Sequence, residues 1–401
     1  MKIIFLSPEA IFPVNTGGRL VVYNRIKYLT GLGHEIYFFS IVDDECEIEI
    51  QQQHLKAIVK ECFSYNRHAH KITNYLKAAR YPYSVASRIR QTLIDDLEKL
   101  IIREKIKLVI CEFPQMYMNL RELQKRYKFK CVLSQHNIEF LSLRNIGQKM
   151  NNPLKRMLYL LESIRLERYE RKIYRNNLID AFIFVSKDDK EFFERELNIN
   201  NRLTNLAPIG AEEHDDLQKI DDGNKNVIIV GKMSYPPNAE GVLWFYNNVW
   251  SKITSEVKNS VLYIVGKDPD DRLLKINSDN VIVTGTVESV EPYYLKANAI
   301  AIPIFSGGGV KTKLIEASSY SVPIICTTSG ARGTDFKDAE HIYITDDAQS
   351  FADKIISVLK EDKSQIEMVY EASKLFKQKY TWDGITKDLS YFLEKLIQKE
   401  E

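Results

Sequence analysis

AIAIPIFSGGGVKTKLIEASSYSVPIICTT, residues Ala299 to Thr328, sets two apolar runs on either side of three glycines and an amphipathic segment. AIAIPI reads as a strand, VKTKLIEASS as a helix and PIICTT as the next strand, so Ser306 to Gly309 is a strand-to-helix turn. Glycine in that turn admits positive φ and removes side chains that would hold a ligand away from the backbone. The first amides of the helix lack intrahelical partners and form an anion site. Lys313 and Glu316 are three apart and share a helix face, whereas Leu314 lies nearly opposite Glu316 and can enter a core. That face offers amides, a cation and a carboxylate, the order in which a diphosphate followed by a ribose presents charge and hydroxyls. A helix terminus contributes about 0.3–1 kcal/mol to an adjacent exposed charge. A full charge at about 4 Å and an effective dielectric of about 20 gives about 4 kcal/mol before desolvation. The lysine therefore neutralises and the amides aim. Lys313 is favoured over Lys311 because it shares the face of Glu316. Taken alone, the pattern also fits a tight turn with surface lysines.

The same alternation runs outward from this stretch. KIIFL, EIYFFSIV, KLVICEF, KCVLSQH and AFIFVS come first, then NVIIVG, VLYIVG, NVIVTG, AIAIPI and PIICTT, with amphipathic stretches between many of them. Several runs are continuously apolar, as expected of parallel strands covered by helices on both faces. The pattern is α/β with doubly wound sheets. It breaks once, at the polar HDDLQKIDDGNKN (His214 to Asn226), after which NVIIVG restarts the series. Two Rossmann-like domains are expected, residues 1–205 and 206–379. Residues 380–401 form a closing helix, capped by Thr381 and striped by Trp382, Ile385, Leu389, Phe392 and Leu396, that can pack on either domain.

Length of 401 residues suits two domains, and 44% hydrophobic with 27% charged residues suits a folded chain. A net charge of +2 argues against a nucleic-acid partner. The five cysteines show no CxxC spacing and suit a reduced, cytoplasmic setting. MKIIFLSPEA reads as a first strand, and no run approaches the length of a membrane span. Residues 154–176, LKRMLYLLESIRLERYERKIYRN, carry more basic than acidic residues. Two readings stand for them: a solvated helix face with i to i+4 pairs, or a basic surface that meets anionic lipid or a phosphorylated acceptor.

Other chemistries find weaker support. Asp268-Pro269-Asp270 is a D-x-D, but its position after LYIVG reads as an exposed turn, and no metal is expected. The seven histidines form no zinc spacing, and His68 and His70 belong to a basic loop. Glu288 and Glu291 sit in a loop or at a helix start, which does not suit a hydrolytic carboxylate pair. No G-x-S-x-G, Walker or G-x-G-x-x-G spacing fits the glycine turns. His136 ends an apolar strand, where a hydrogen-bonded rim histidine is the simple reading.

With these residues in place, the chain resembles a nucleotide-sugar glycosyltransferase of the GT-B fold, similar to glycosyltransferase family 4 and to its branch reading GGGT-x-x-K-x-x-EA. GGGVKTKLIEASSYSVPIICTT carries the block, and VGKMSYPPNAEGVLWF, LYIVGKDP and VIVTGTVESVEPYYLKANAIAIPI match the preceding segments in order. NTGGRLVVYNRIKYLTGLGHEI and SQHNIEF resemble the acceptor-side domain. The likeness is strongest over residues 227–345. It implies that Glu316 holds the ribose hydroxyls and that Lys313 with the amides near Gly308 and Gly309 meets the diphosphate. Lys232 stands where an arginine often meets the donor phosphates, and the backbone near Val287 lies in the base-binding loop. Gly17 and Gly18 match the glycine turn of the first domain, and His136 a histidine near the transferred sugar. Two positions depart from the wider family. Gly308 stands where a second glutamate is usual, and Pro237 with Asn238 where a lysine is, so Lys311 or Lys313 is expected to substitute for that lysine.

The resemblance implies two Rossmann-like domains facing a central cleft and a retaining, metal-independent glycosyl transfer. The donor is a nucleotide sugar, used as a substrate, with no cofactor. The acceptor is a hydroxyl of a glycan or glycoconjugate, in bacterial surface polysaccharide or glycoconjugate assembly. The expected place is cytoplasmic, with peripheral contact at the inner membrane face left open. The missing glutamate keeps open a second class, a non-catalytic nucleotide-sugar-binding or regulatory subunit. A sugar phosphorylase or epimerase is a third.

Overall fold

The computed structural model describes residues 1–14, 16–69, 71–197, 199, 201–214, 218–306, 312–361 and 364–398. The chain divides into two compact units, Met1–Pro208 with Ile385–Glu401, and Ile209–Gly384.

The first unit holds a parallel sheet of seven strands: β1 (Lys2–Ser7), β2 (Glu35–Val42), β3 (Glu61–Asn66), β4 (Leu108–Glu112), β5 (Lys130–Gln135), β6 (Ala181–Phe184) and β7 (Leu203–Leu206). Their order is β3-β2-β1-β4-β5-β6-β7, with Ile3 opposite both Ile36 and Leu108. Successive strand residues point to opposite faces, and both faces are apolar. Ile3 and Phe5 enter one core with Val22, Ile26 and Leu29 of the Gly17–Gly31 helix. Ile4 and Leu6 enter the other with Leu93, Leu97 and Leu100 of the Gln91–Glu104 helix. Each such side chain contributes roughly 1.5–3 kcal/mol on burial, so strands buried on both faces dominate the unit's stability.

The second unit repeats the plan with six parallel strands: β8 (Lys225–Val230), β9 (Ser260–Val265), β10 (Val281–Gly285), β11 (Ala299–Ile302), β12 (Ile324–Cys326) and β13 (Tyr343–Ile344). Their order is β10-β9-β8-β11-β12-β13. Val227, Ile229, Leu262, Ile264 and Ala301 meet Val242, Phe245, Phe351 and Ile355 in one of its cores.

Chain termination follows the capping expected of Thr381. Its hydroxyl accepts from the amide of Gly384 at 3.2 Å, opening the Trp382–Gln398 helix. From there Ile385, Leu389, Leu393 and Leu396 join the core of the first sheet. His34 adds a polar tie, its Nε2 2.7 Å from Ser390 Oγ.

Both sheets grow in the same way. The chain lays three strands outward from β1 or β8, then returns to lay the rest outward from β4 or β11. The neighbouring pairs β1/β4 and β8/β11 are topological switch points, where loops leave in opposite directions and open a crevice at the carboxyl ends of the strands.

Candidate functional site

At the switch point of the first sheet, charge is buried. Glu112, the last residue of β4, has no exposed surface, and Arg25 of the Gly17–Gly31 helix is 1% exposed. Arg25 Nη1 donates to Glu112 Oε1 at 3.4 Å and to Ser134 Oγ at 2.7 Å, and its Nη2 donates to the Ala207 carbonyl at 3.0 Å. Burial opposes the charged form of Glu112, but the Arg25 guanidinium and the hydrogen bonds from His136 and Ser134 prevail and hold its carboxyl at about 2. An ion this deep persists only when paired and hydrogen-bonded.

His136 follows β5 and rests on that carboxylate, Nε2 to Oε2 at 2.7 Å. The carboxylate can only accept, so Nε2 carries the hydrogen and the ring is fixed in orientation. Phe113 stacks on the imidazole, with centroids 4.2 Å apart and planes at 19°. Its backbone has φ 67 and ψ 143, a region essentially reserved for glycine that costs a larger residue about 1–3 kcal/mol. The Phe113 amide is held by the Ser134 carbonyl at 2.9 Å. Gly18, in the first turn of the Gly17–Gly31 helix, lies beside this group. A Cβ there would stand 3.9 Å from His136 Nδ1, 3.7 Å from Phe113 Cζ and 3.3 Å from Glu9 Oε1. The structure thus gathers Gly18 and His136, while Gly17, one residue earlier, is exposed.

The second switch point holds a different arrangement. Lys313 and Glu316 lie on the Thr312–Ser318 helix that follows β11, and Leu314 is fully buried. Lys313 Nζ donates to Asn238 Oδ1 at 2.6 Å, and Asn238 Nδ2 donates to the Lys232 carbonyl at 2.7 Å. Asn238 opens the Pro236–Phe245 helix, so three segments converge on one ammonium group. The ammonium lies where Gly231, just past β8, lacks a side chain; a Cβ there would be 2.2 Å from Nζ. Gly241 likewise admits the Pro303 carbonyl, which would stand 1.9 Å from an added Cβ.

Burial raises the Glu316 carboxyl, opposed by Lys313 and by a hydrogen bond from the Tyr294 hydroxyl. Tyr294 is buried and stacks on Tyr320, with centroids 4.4 Å apart at 19°. Val287 is half-buried in the loop after β10, four residues before the Glu291–Leu295 helix that carries Tyr294. The Lys232 side chain is exposed, and its carbonyl rather than its ammonium joins the cluster. Gly308, Gly309 and Lys311 lie outside the described residues.

Residues that sequence reasoning passed over hold both constellations in place: Arg25, Glu112 and Phe113 in the first unit, Gly231 and Tyr294 in the second. Asn238, noted only as a departure, is the partner of Lys313. Glu139, three residues after His136, is a further carboxyl raised by burial and bonded to Gln115 Nε2 at 3.1 Å. The D-x-D carboxylate of Asp270 is occupied locally. It caps the amides of Arg272 and Leu273 at 3.0 and 3.2 Å and pairs with Arg272 Nη2 at 2.7 Å.

Comparison with known proteins bears on the fold and on the second unit. Residues 224–361 match the family model of glycosyl transferases group 1. An uncharacterized 44.6 kDa protein in the cps region of Klebsiella pneumoniae is 26% identical over 390 residues, covering 94% of this chain and 96% of that protein. A glycosyltransferase from Rickettsia africae superposes with a TM-score of 0.69 at 13% identity, covering 100% of this chain and 99% of that one. Anabaena HepE, solved with UDP, superposes with a TM-score of 0.66 at 11% identity, covering 98% and 100%; it has also been solved with UDP-glucose. The chain has the GT-B fold, and its residues 224–361 match the glycosyl transferases group 1 model.

Proposed function

We propose that the chain transfers a sugar, with retention of configuration, from a nucleotide-sugar donor to a hydroxyl of a glycan or glycoconjugate, in polysaccharide or glycoconjugate assembly. The observation that carries this reading is the Lys313 ammonium, held by Asn238 over the bare backbone of Gly231, one helical turn from Glu316. Lys313 neutralises the diphosphate, with Lys232, Lys311 and the amides near Gly308 and Gly309 around it. Glu316, aimed by Tyr294, accepts from the ribose hydroxyls, and the backbone near Val287 borders the base. Pro237 and Asn238 stand where a lysine is usual, and Lys313 reaches Asn238, which supports the substitution of one cation for the other. The UDP and UDP-glucose complexes of HepE and the cps-region relative support the donor class and the setting.

In the first unit, Glu112 holds the Nε2 hydrogen of His136, so Nδ1 is the ring atom that addresses a sugar hydroxyl beside Gly17 and Gly18. The bond between the anomeric carbon and the donor phosphate oxygen breaks, and the acceptor oxygen bonds on the same face. The acceptor proton passes to the departing phosphate, which the Lys313 charge stabilises as it develops. The five cysteines are free, in keeping with the cytoplasmic side where such donors are made.

Calorimetry with UDP, GDP and ADP, followed by assay of nucleoside diphosphate release from the matching nucleotide sugars, tests this reading. Binding of one diphosphate with slow donor hydrolysis is expected. Binding with no turnover under any acceptor would instead make the chain a nucleotide-sugar-binding subunit. No binding of any diphosphate would end the proposal.

A further inference from the structure

The first unit has a cavity of about 640 Å³ lined by none of the residues placed at the two switch points. Arg80, Arg121, Lys125, Arg165, Arg168 and Lys172 line it, and no carboxylate does among the described lining residues. Three of these cations reach acids at its edge, Arg121 and Lys125 to Glu122 at 4.0 and 2.9 Å, and Arg165 to Glu162 at 2.9 Å. Arg168 and Lys172 form no ion pair among the described residues. Gathering like charges around one cavity is unfavourable unless an anion completes it. The planar guanidinium fork suits phosphate oxygens.

The basic residues continue a stripe that begins as hydrocarbon. On the Pro153–Tyr174 helix, positions 154, 158, 161, 165, 168 and 172 follow one another by steps of four and three, so they share a face. The first three are Leu154, Leu158 and Leu161, exposed by 62%, 55% and 52%, and the last three are Arg165, Arg168 and Lys172. Met157 is beside them and 51% exposed. The helix carries the paired charges of the first reading, Arg165 with Glu162 and Arg171 with Glu167, and adds an apolar face that neither reading contained. Its acids are drawn aside: Glu167 pairs with Arg144 and Arg171, and Glu170 is buried against the Tyr174 hydroxyl at 2.6 Å.

A second helix, Lys71–Ala78, exposes Ile72 by 79%, Tyr75 by 67% and Leu76 by 71%. Arg165 Nη2 donates to the carbonyls of Ala78 and Tyr81, which ties the end of this helix to the middle of the other. Large apolar side chains so exposed, on two linked helices, mark a surface that something apolar covers. Leucines and a methionine followed by arginines and a lysine describe a helix lying in a lipid interface, with tails against the apolar part and phosphates against the cations.

We propose that the Lys71–Ala78 and Pro153–Tyr174 helices seat the first unit on a phospholipid surface, with the basic cavity holding a lipid phosphate. Neither the cavity nor the stripe contains a residue assigned to the donor, so this inference stands apart from the donor reading.

The test is co-sedimentation of the full chain with phosphatidylcholine vesicles, with and without phosphatidylglycerol, alongside calorimetry with inorganic pyrophosphate. Partition onto the anionic vesicles is expected, weakened about tenfold or more by Arg168→Glu with Lys172→Glu. Leu158→Glu with Leu161→Glu should weaken it similarly while leaving pyrophosphate binding intact. Both double variants change exposed positions and should keep the parent circular dichroism and nucleotide affinity. Equal sedimentation with neutral and anionic vesicles overturns the proposal. So does vesicle binding indifferent to either double variant. Pyrophosphate binding that Arg168→Glu with Lys172→Glu abolishes, found without vesicle binding, would make the cavity a site for a soluble phosphate and overturn the membrane assignment.

Discussion

The two switch points are built alike and charged differently. In the first unit, a buried carboxylate meets a buried guanidinium, and the histidine above them is locked by the same carboxylate. In the second, the lysine is held by a neutral amide, and the carboxyl one turn away by a tyrosine hydroxyl. Opposite charges that satisfy one another give a rigid floor and little appetite for a further ion. Lys313 and Glu316 are only half-buried, against the full burial of Arg25 and Glu112, and so stay open to a ligand. On the proposed reading, the same sheet topology serves as a positioning device in one unit and a binding device in the other. Substitutions in the first should register as stability, and in the second as affinity.

The strongest way to break this comparison is Glu112→Ala. It strands Arg25 without its counter-ion and should cost about 3–5 kcal/mol, read as a lower urea midpoint of the first unit by circular dichroism. Removing both charges, with Arg25→Leu and Glu112→Leu, should cost less than the sum of the single changes. Additive losses would mean that the two do not form one cluster.

Acid probes the same floor. The folded Glu112 carboxyl sits at about 2, below its ordinary 4.5. The unfolded chain therefore takes up the proton first, and the stabilisation is complete above pH 4.5 and is lost as pH falls towards 2. Its size at neutral pH is about 3 kcal/mol. Urea midpoints between pH 6 and pH 3, compared with those of Glu112→Gln, isolate it. The variant should show the shallower fall.

In the second unit the effect should move from folding to binding. Lys313→Ala is expected to weaken UDP, or whichever diphosphate binds, by about 1.5–3 kcal/mol with little change in thermal midpoint. Gly231→Ala then sharpens the point, because its Cβ would meet the lysine's far end at 2.2 Å and can be accommodated by swinging that flexible chain away. Stability should change by less than about 1 kcal/mol, while affinity falls about tenfold, or about 1.4 kcal/mol. A large loss of stability would mean that the ammonium is held as firmly as Arg25.

This contrast also separates what could be read in the sequence from what could not. Strands buried on both faces announce themselves as apolar runs, as β1, β4 and β11 do. Of the four edge strands, β10 was legible as NVIVTG, but β3 (ECFSYN), β7 (LTNL) and β13 (YI) are half-buried or exposed, and their mixed composition gave no such signal. Lys313 and Glu316 were legible because three-residue spacing on a helix is local geometry. Arg25 and Glu112 are 87 positions apart, and only the β1/β4 crossover brings them together. A trace existed for each. Glu112 closes the apolar run LVICE, and Arg25 shares a helix face with Val22, Ile26 and Leu29, where a cation must find a buried partner. The Phe113 backbone left no trace at all, since the groups that accompany its positive φ, His136 and Ser134, are distant in sequence.

The smallest effect tests the finest part of the contrast, how a neutral hydroxyl aims Glu316. Tyr294→Phe deletes one hydrogen bond and keeps the stack on Tyr320, so about 0.5–1.5 kcal/mol of nucleotide affinity should go. The hydroxyl lowers the carboxyl's proton affinity against the effect of burial, so its loss also leaves Glu316 easier to protonate. The penalty should therefore widen as pH falls. It should also vanish for a 2′,3′-dideoxy diphosphate, which has no ribose hydroxyl for Glu316 to accept from, because a coupling energy survives only while both partners are present. An equal penalty for the ribo and dideoxy ligands would place Tyr294 outside the path to the pentose and make its bond to Glu316 a matter of packing, as in the first unit.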